Sequence, residues 1–188
     1  MLAGVSISNN INGKWSKPKA LNIENDYNYN EKANYFLTNN RKTLIMSVER
    51  DDSRGGRDLY VSFMKDDSVW TEPKNLGDVI NTAGERTAPF LASDDQTMYF
   101  SSNGFSGYGG SDIYMTKRLD DTYTNWSEPK NMGSRYQLER RRPFLQHSLY
   151  QRICLLLTRR RKEHRHLSRE ASVLQQPQSL YYREGQTC

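Results

Sequence analysis

The sequence predicts an all-β fold built from a repeated unit of four short strands, and three observations support this prediction. First, three stretches match one another: WSKPKALN from Trp15, WTEPKNLG from Trp70 and WSEPKNMG from Trp126. Second, EKANYFLTNNRKTLIMS (31–47) recurs as ERTAPFLASDDQTMYFS (85–101). Third, no segment of the repeated region shows the periodicity of an amphipathic helix.

Within each unit, short apolar runs are separated by turn residues, and the strands follow from them in order. The runs are rich in β-branched and aromatic side chains, which suit a pleated and half-buried surface. An Asn-Asn or Asp-Asp turn follows the first run of each unit. The predicted strands are 35–38, Thr43–Val48 and 58–64 in one unit, and 89–92, Thr97–Ser102 and Asp112–Lys117 in the next.

A fourth strand is predicted at the Trp-x-x-Pro segment of each unit. Proline cannot donate a hydrogen bond to a sheet ladder, so it fits a strand end or an edge. The repeated tryptophan is expected to fill the space between neighbouring units, where its large area stabilises most. The repeat positions of this segment are Trp15, Pro18, Trp70, Pro73, Gly77, Trp126, Pro129 and Gly133.

A glycine-rich stretch between the second and third strands also occurs twice. SVERDDSRGGRDLY (47–60) and SSNGFSGYGGSDIY (101–114) have the same length and match in register. A phosphate-binding loop requires a helix behind the glycines, whereas a strand follows here, so we predict a turn. The shared positions are Gly55, Gly56, Asp58 and Tyr60, matched by Gly109, Gly110, Asp112 and Tyr114.

The repeated aspartates and the acidic turns raise the question of a metal site. An aspartate at the start of a strand more often accepts local amide hydrogen bonds than binds a metal. The pairs Asp51-Asp52 and Asp94-Asp95 lack the alternating ligand spacing of a calcium loop. We therefore predict no metal, no cofactor and no catalytic residue in the repeated region.

Four short strands in a repeat of about this length are typical of one blade of a β-propeller. Residues 1–133 are therefore predicted to form a propeller fragment, with a partial leading blade at about 5–22. Two complete four-stranded blades follow, at about 23–77 and 78–133. Since propellers usually have about four to eight blades, we expect this chain to be part of a larger protein. Unpaired strand edges would favour association of the isolated chain.

The repeated region resembles the WD-like β-propeller repeats of bacterial cell-envelope proteins of the OmpA-associated and TolB-like type. The resemblance implies a binding or scaffolding propeller exposed to the periplasm or the outer membrane, without catalytic residues. It also implies that peptidoglycan is bound only by a separate domain that this chain lacks. In the first unit, Asn22 replaces the glycine of the pattern. The pattern is Trp70-x-x-Pro73-x-x-Leu76-Gly77, Ile80-Asn81-Thr82, Pro89-Phe90, Tyr99-Phe100-Ser101-Ser102-Asn103-Gly104 and Gly109-Gly110-x-Asp112-Ile113-Tyr114.

The tail, residues 134–188, differs in composition from the repeated region. The whole chain carries a net charge of +5, yet residues 1–133 contain 15 Lys and Arg against 18 Asp and Glu. The tail contains 12 Lys and Arg against 4 Glu, and it holds all three histidines and both cysteines. The spacing of these histidines and cysteines predicts neither a disulfide framework nor a metal site.

Three interpretations of the tail are open. It could be a basic arm that binds nucleic acid or an anionic membrane, or residues 149–176 could form an amphipathic helix. The favoured hypothesis is translation out of frame, because one shifted reading frame permits INSNDDA in register with INTAGER (80–86) and later NIDIY. The tail is accordingly not expected to be a native domain, and no nucleic-acid partner is predicted.

Two functions of different classes follow from these patterns. The first is a non-catalytic propeller module of the cell envelope, whose partner is an envelope protein or a glycan. The alternative is a fragment of a sialidase-like propeller glycoside hydrolase. SDDQTMY (93–99) is close to an Asp-box turn but lacks its Gly-x-Thr-Trp ending, and the repeated region has no histidine for a Ser-His-Asp triad. The chain begins without a secretion signal, so export would require a different natural beginning.

Overall fold

The computed structural model describes residues 5–66 and 69–134, and this part of the chain is all-β, as predicted. Strands joined by turns follow one another in these two ranges, with no α-helix among them. In chain order the strands are β1 (Ser6–Ile7), β2 (Asn10–Ile11), β3 (Lys14–Trp15), β4 (Lys19–Ala20), β5 (Asn22–Ile23), β6 (Asn34–Leu37), β7 (Thr43–Val48), β8 (Asp58–Asp66), β9 (Val69–Trp70), β10 (Lys74–Asn75), β11 (Arg86–Leu91), β12 (Thr97–Ser102), β13 (Asp112–Lys117) and β14 (Lys130–Asn131).

The first sheet is built on three antiparallel strands in the order β6-β7-β8. Two short strands pair with β8 from the same side. Lys74 of β10 faces Val61, and Trp70 of β9 faces Met64. The fourth strand is interrupted around Pro73, which has no amide hydrogen for the ladder. At the outer edge, β5 pairs with β9 in parallel.

The second sheet repeats this arrangement in the order β11-β12-β13-β14. Lys130 of β14 faces Met115, and Trp126 forms an isolated bridge with Arg118. The fourth strand therefore meets the third at two places in both sheets. Each sheet contains a four-stranded antiparallel meander whose last strand is the Trp-x-x-Pro segment, as the sequence predicts.

A third copy of the last pairing lies at the start of the described chain. Strands β1 and β4 pair antiparallel, and the backbone nitrogen of Leu21 donates to the carbonyl of Val5 at 2.8 Å. This leading fragment therefore repeats the pairing of the third strand with the fourth. The corresponding bonds in the two sheets are Leu76 to Leu59 at 3.1 Å and Met132 to Ile113 at 3.0 Å.

The main core lies between the first sheet and the second sheet. Alternate residues of β7 and β8 point to opposite faces, as the pleat of a strand requires. One face packs against the second sheet, and the other packs against the leading fragment. The first core contains Phe36, Ile45, Leu59, Val61, Leu76 and Ile80 with Leu91, Met98, Phe100, Tyr114, Tyr123 and Trp126. The second contains Leu44, Met46, Val48, Tyr60 and Trp70 with Val5 and Ile23.

The connection between the sheets is fixed by two buried polar side chains. Asn81 accepts a hydrogen bond from the nitrogen of Leu59 and donates one to its carbonyl, both at 2.9 Å. Arg86, fully buried, donates to the carbonyls of Ile80 at 2.9 Å and Thr82 at 2.5 Å. The bonds of Asn81 join the start of the second unit to the third strand of the first, and those of Arg86 hold this connecting segment against the first strand of the second sheet.

The repeated tryptophans differ in burial. Trp70 and Trp126 are 1% and 3% exposed, in keeping with a place between units, but Trp15 is 49% exposed. Trp15 does not fill such a space, and lies exposed in the short hairpin of β2 and β3, where it pairs with Asn10. In the other copies the tryptophan meets the end of a long strand within a sheet. The prolines follow the same order: Pro73 is buried, Pro129 is half-buried and Pro18 is exposed.

Three predicted strands coincide with observed ones, namely Thr43–Val48, Thr97–Ser102 and Asp112–Lys117. The first strands begin earlier than predicted, at Asn34 and Arg86. Apart from Ser134, the predictions for the tail lie outside the described residues.

Candidate functional site

The residue after each repeated tryptophan makes the same contact in three copies. Its side-chain oxygen accepts a hydrogen bond from a backbone nitrogen near the end of the third strand, so it pairs an amide that the interrupted ladder leaves open. These hydroxyls are not among the predicted repeat positions. The bonds are Asn9 to Ser16 at 3.0 Å, Phe63 to Thr71 at 3.0 Å and Lys117 to Ser127 at 2.9 Å.

Gly77 and Gly133 end the fourth strands with φ angles of 95° and 86°. Glycine adopts this left-handed region without the steric cost that other residues bear. The side-chain oxygen of Asn75 accepts a hydrogen bond from the nitrogen of Gly77 at 2.9 Å, and Asn131 does the same for Gly133 at 2.9 Å. In the leading fragment, Asn22 continues directly into β5 instead.

The repeated aspartates hold the glycine-rich turns. Oδ2 of Asp58 accepts a hydrogen bond from the nitrogen of Arg54 at 2.7 Å, and Oδ2 of Asp112 accepts one from Tyr108 at 2.5 Å. Two residues further on, the buried Tyr60 and Tyr114 bond to the same turns. Their hydroxyls contact the Asp52 carboxylate at 2.8 Å and the Ser106 carbonyl at 3.1 Å.

The paired glycines of these turns have different surroundings. A Cβ at Gly55 would collide with the backbone of Gly84, and one at Gly56 would press on the Glu85 side chain at 3.0 Å. At Gly109 a Cβ would meet nothing within 4 Å, and Gly110 is half-buried. The second unit therefore excludes a side chain at Gly55, whereas the corresponding Gly109 has room for one.

A cluster of polar and aromatic residues in the first unit has no equivalent in the second. Tyr27, Tyr29 and Asp51 form this group, here called the tyrosine–aspartate patch. The Tyr27 hydroxyl donates to Oδ2 of Asp51 at 2.9 Å, and the Tyr29 hydroxyl donates to Oδ1 at 2.8 Å. The two rings lie 5.4 Å apart with planes tilted by 49°. At the corresponding positions the second unit has Asn81, Ala83 and Phe105.

Arg50 anchors the patch to the first sheet. Its side chain is buried, and it donates to the carbonyl of Asn25 at 2.9 Å and to the carboxylate of Glu72 at 3.2 Å. The guanidinium carbon lies 4.0 Å from the centre of the Tyr27 ring, a cation–π contact. Tyr27 is therefore held on one face, whereas Tyr29 is 63% exposed.

The protonation states of the patch follow from its hydrogen bonds. The hydroxyls of Tyr29 and Tyr27 lower the pKa of Asp51 from its ordinary value. The same bonds to a carboxylate raise the pKa of Tyr27 and of Tyr29. At neutral pH the patch thus presents an ionised carboxylate that accepts hydrogen bonds from two neutral phenols.

This arrangement is suited to binding a polyhydroxylated ligand. A tyrosine ring offers an apolar face beside a polar edge. An ionised carboxylate can accept about four hydrogen bonds, and Asp51 receives one tyrosine hydroxyl at each oxygen. Hydroxyl groups of a ligand can use the remaining lone pairs while its carbon face stacks on the exposed Tyr29 ring.

Metal-binding geometry is not found in residues 5–66 and 69–134, where no three His, Cys, Asp or Glu side chains are grouped around a possible ion. Asp94, one of the acidic turn residues, instead accepts bonds from the nitrogens of Gln96 at 3.0 Å and Thr97 at 2.8 Å. Among the described residues, none lies in a helix long and apolar enough to cross a bilayer.

Comparison of the chain with protein-family models, with curated proteins and with solved structures found no match. Recurrence along the sequence does not mark the patch, because the patch departs from the repeat. The alternation of tyrosine and asparagine in DYNYN (26–30), set against INTAG (80–84), is the sequence feature that marks it.

Proposed function

We propose that this chain is a non-catalytic binding and scaffolding module of β-propeller type that binds carbohydrate at the tyrosine–aspartate patch. Two stacked four-stranded meanders and a third partial copy support the propeller assignment. Location at a bacterial cell envelope is part of the proposal and rests on the sequence resemblance alone.

One observation carries the binding function: the patch departs from an otherwise repeated framework. The repeated hydroxyls, the asparagines before the closing glycines and the Oδ2 atoms of the repeated aspartates make the same local hydrogen bonds from unit to unit. A residue set that one unit contains and the other lacks is not required by the shared fold. Its residues are nevertheless ordered by Arg50, whose guanidinium is bonded to Glu72 and packed on Tyr27.

The glycosidase alternative is less well supported by this geometry. Arg50 is committed to Asn25, Glu72 and the Tyr27 ring, and so is not available to hold a substrate carboxylate.

Titration of the full chain with a neutral trisaccharide, followed by NMR chemical shifts, tests the proposal. Maltotriose and tri-N-acetylchitotriose are suitable probes, since both offer carbon faces and vicinal polar groups. We expect shifts centred on residues 26–30 and 49–52, with a dissociation constant of about 1 mM or below. Tyr29→Ala should weaken binding at least about tenfold, which corresponds to about 1.4 kcal/mol.

Tyr108→Ala is the matched control, because Tyr108 is 69% exposed but lies in the glycine-rich turn of the second unit. It should bind the probes as the unaltered chain does. Equal losses in both variants, or no shifts with either sugar, would contradict the proposed site. Release of a fluorophore from a sialoside would favour the glycosidase alternative.

A further inference from the structure

Arg57 is a buried arginine whose guanidinium is only partly paired. It directly precedes β8, and its backbone carbonyl accepts a hydrogen bond from the nitrogen of Arg86 at 2.8 Å. Nη2 of Arg57 donates to Oε2 of Glu85 at 3.0 Å. Nε and Nη1 are buried and have no hydrogen-bond partner among the residues that the structure describes. The side chain is 4% exposed, so a positive charge lies between the two units with two of its nitrogens unpaired.

The neighbouring Arg86 shows how a buried guanidinium is usually accommodated. Its Nε donates to the carbonyl of Ile80 at 2.9 Å, and its Nη1 lies 3.4 Å from Oδ1 of Asp58. Its Nη2 donates to the hydroxyl of Thr82. Every nitrogen of Arg86 thus has an acceptor, whereas Arg57 has one for Nη2 alone. Unpaired polar groups on a buried cation are costly and rare in native structures, so they call for an acceptor from outside the chain.

The repeat itself does not require an arginine at this position. The turn before β8 and the turn before β13 match in register, and Ser111 takes the place of Arg57 in the second one. Both turns have a glycine pair before this position and an aspartate after it. The same turn therefore forms without the positive charge, and the arginine is an addition to the shared framework.

Glu85 is a partner whose side chain can leave the guanidinium. This side chain is 43% exposed, whereas the backbone nitrogen of Glu85 is held by Oδ1 of Asn103 at 2.7 Å. The side chain lies over Gly56, where an added Cβ would approach its Cγ and Oε1 to 3.0 Å. Rotation of the Glu85 side chain into solvent would therefore uncover one edge of Arg57 without moving the backbone.

We propose that Arg57 binds the carboxylate of a small-molecule ligand, which enters beside Gly56 and displaces the Glu85 side chain. The ligand is an organic acid, either a simple carboxylate or a sugar that carries one. A carboxylate is the group that Arg57 holds in the structure, and its charge offsets that of the buried guanidinium when Glu85 has moved away.

The geometry of the guanidinium gives such a ligand an advantage over Glu85. A carboxylate presents two coplanar oxygens that match two adjacent nitrogens of a guanidinium. Nη2 is adjacent to both unpaired nitrogens, so a ligand that takes over Nη2 can reach one of them with its second oxygen. Glu85 bonds to Nη2 alone in its present position. The ligand thus gains a charge-assisted hydrogen bond that Glu85 does not make.

This proposal does not depend on sugar binding at the tyrosine–aspartate patch. The patch is held by Arg50, whereas the carboxylate site is built on Arg57 and Glu85. The probes also differ, since the sugars chosen for the patch are neutral. Failure of either titration would leave the other valid.

Titration of the full chain with sodium acetate, at about pH 7 and with sodium chloride at equal ionic strength as the reference, provides the first test. We expect saturable NMR shifts at residues 55–57 and 84–86 and at the Nε–H group of Arg57, with a dissociation constant of about 10 mM or below. Sodium glucuronate should shift the same signals, and tighter binding of glucuronate would identify the acidic sugar as the preferred source of the carboxylate. Shifts that do not saturate, or that spare Arg57 Nε–H, would overturn the proposal.

Two lysine variants test the role of the guanidinium. Arg57→Lys keeps the charge but removes the planar pair of donors, and it should weaken acetate binding at least about tenfold. Arg54→Lys is the matched control, because Arg54 lies in the same turn with its side chain 55% exposed and paired to Asp78 at 2.6 Å. It should bind acetate as the unaltered chain does. Equal losses in the two variants would overturn the assignment to Arg57.

Glu85→Gln tests displacement while leaving Arg57 in place. Glutamine has nearly the same size as glutamate but neither competes as an anion nor repels the incoming carboxylate. Acetate should therefore bind this variant more tightly, by about fivefold. Unchanged or weaker binding would overturn the proposal, since a guanidinium with a merely structural role predicts no gain when Glu85 loses its charge.

Discussion

Asn34 and Ala88 hold the same place in consecutive units, and Oδ1 of the first accepts a hydrogen bond of 3.2 Å from the backbone nitrogen of the second. Ala88 lies at an irregularity between Thr87 and Phe90, with a positive φ of 50°. Because of this β-bulge, the amide of Ala88 does not bond to the adjacent strand of its own sheet and instead donates to the first sheet. The Asn34 side chain thus connects the first strands of two sheets that share no backbone ladder.

Asn34→Ala should lower the free energy of unfolding by about 1 kcal/mol, because it leaves a half-buried amide without its acceptor. Asn34→Asp keeps the acceptor oxygen and should retain most of the stability near neutral pH. Urea denaturation of the full chain measures both. Equal losses in the two variants would show that packing of the side chain, and not the bond to Ala88, is what matters.

Trp70→Ala should cost about 3–5 kcal/mol, the usual range for removing a large aromatic side chain from a core. Trp15→Ala should change stability by no more than about 0.5 kcal/mol, since Trp15 is 49% exposed. The two tryptophans occupy the same repeat position, so each controls for the other. Comparable losses in thermal or urea unfolding would contradict the assignment of Trp15 to an exposed hairpin.

Alkaline pH should destabilise the chain through Tyr60. Burial raises the pKa of this hydroxyl well above its ordinary value, and the neutral form is the one the fold favours. Its contribution is therefore complete below about pH 10, the ordinary pKa of tyrosine, and is lost as the pH rises toward the folded value. Tyr60→Phe should flatten the alkaline limb of a stability–pH profile. A limb of unchanged slope would assign the effect to another group.

Low pH, rather than high pH, should weaken the hydrogen bonds of the tyrosine–aspartate patch. The hydroxyls of Tyr29 and Tyr27 lower the pKa of Asp51, so the bonds persist above its ordinary pKa and are lost as the pH falls through the lowered one. Tyr29→Phe should raise the pKa of Asp51, as followed by the NMR shift of its carboxyl carbon. A titration curve that does not move would mean that the hydroxyl is not bonded to Asp51 in solution.

The framework could be predicted because repetition supplies two copies of each local pattern. Thr43–Val48 and Thr97–Ser102 are recognisable from their β-branched and aromatic residues, and each confirms the other's register. Gly77 and Gly133 are recognisable because each closes a matching segment. Such features depend on the residue types within a short segment, and these can be read from the sequence.

The contacts between the two sheets and the tyrosine–aspartate patch could not be predicted in the same way. Arg86 corresponds to the exposed Lys32 in the first unit, so recurrence does not mark it, and its partner Asp58 is distant in sequence. The exposure of Trp15 depends on what packs beside it and not on its own motif. Tyr27 and Tyr29 meet Asp51 only after the first two strands have paired.

Strand β5 has a consequence for the order in which the chain folds. By sequence it follows the leading fragment, yet by hydrogen bonding it is the outermost strand of the first sheet, alongside Trp70. It leaves the ribosome before that sheet and can pair only with the sheet's last-made edge. We therefore expect β5 to pair with β9 only after strands β6 to β9 have formed their sheet. Loss of the pairing between β5 and β9 would release the leading fragment and expose the edge of the first sheet at the same time. The leading fragment and the first sheet are therefore expected to unfold together.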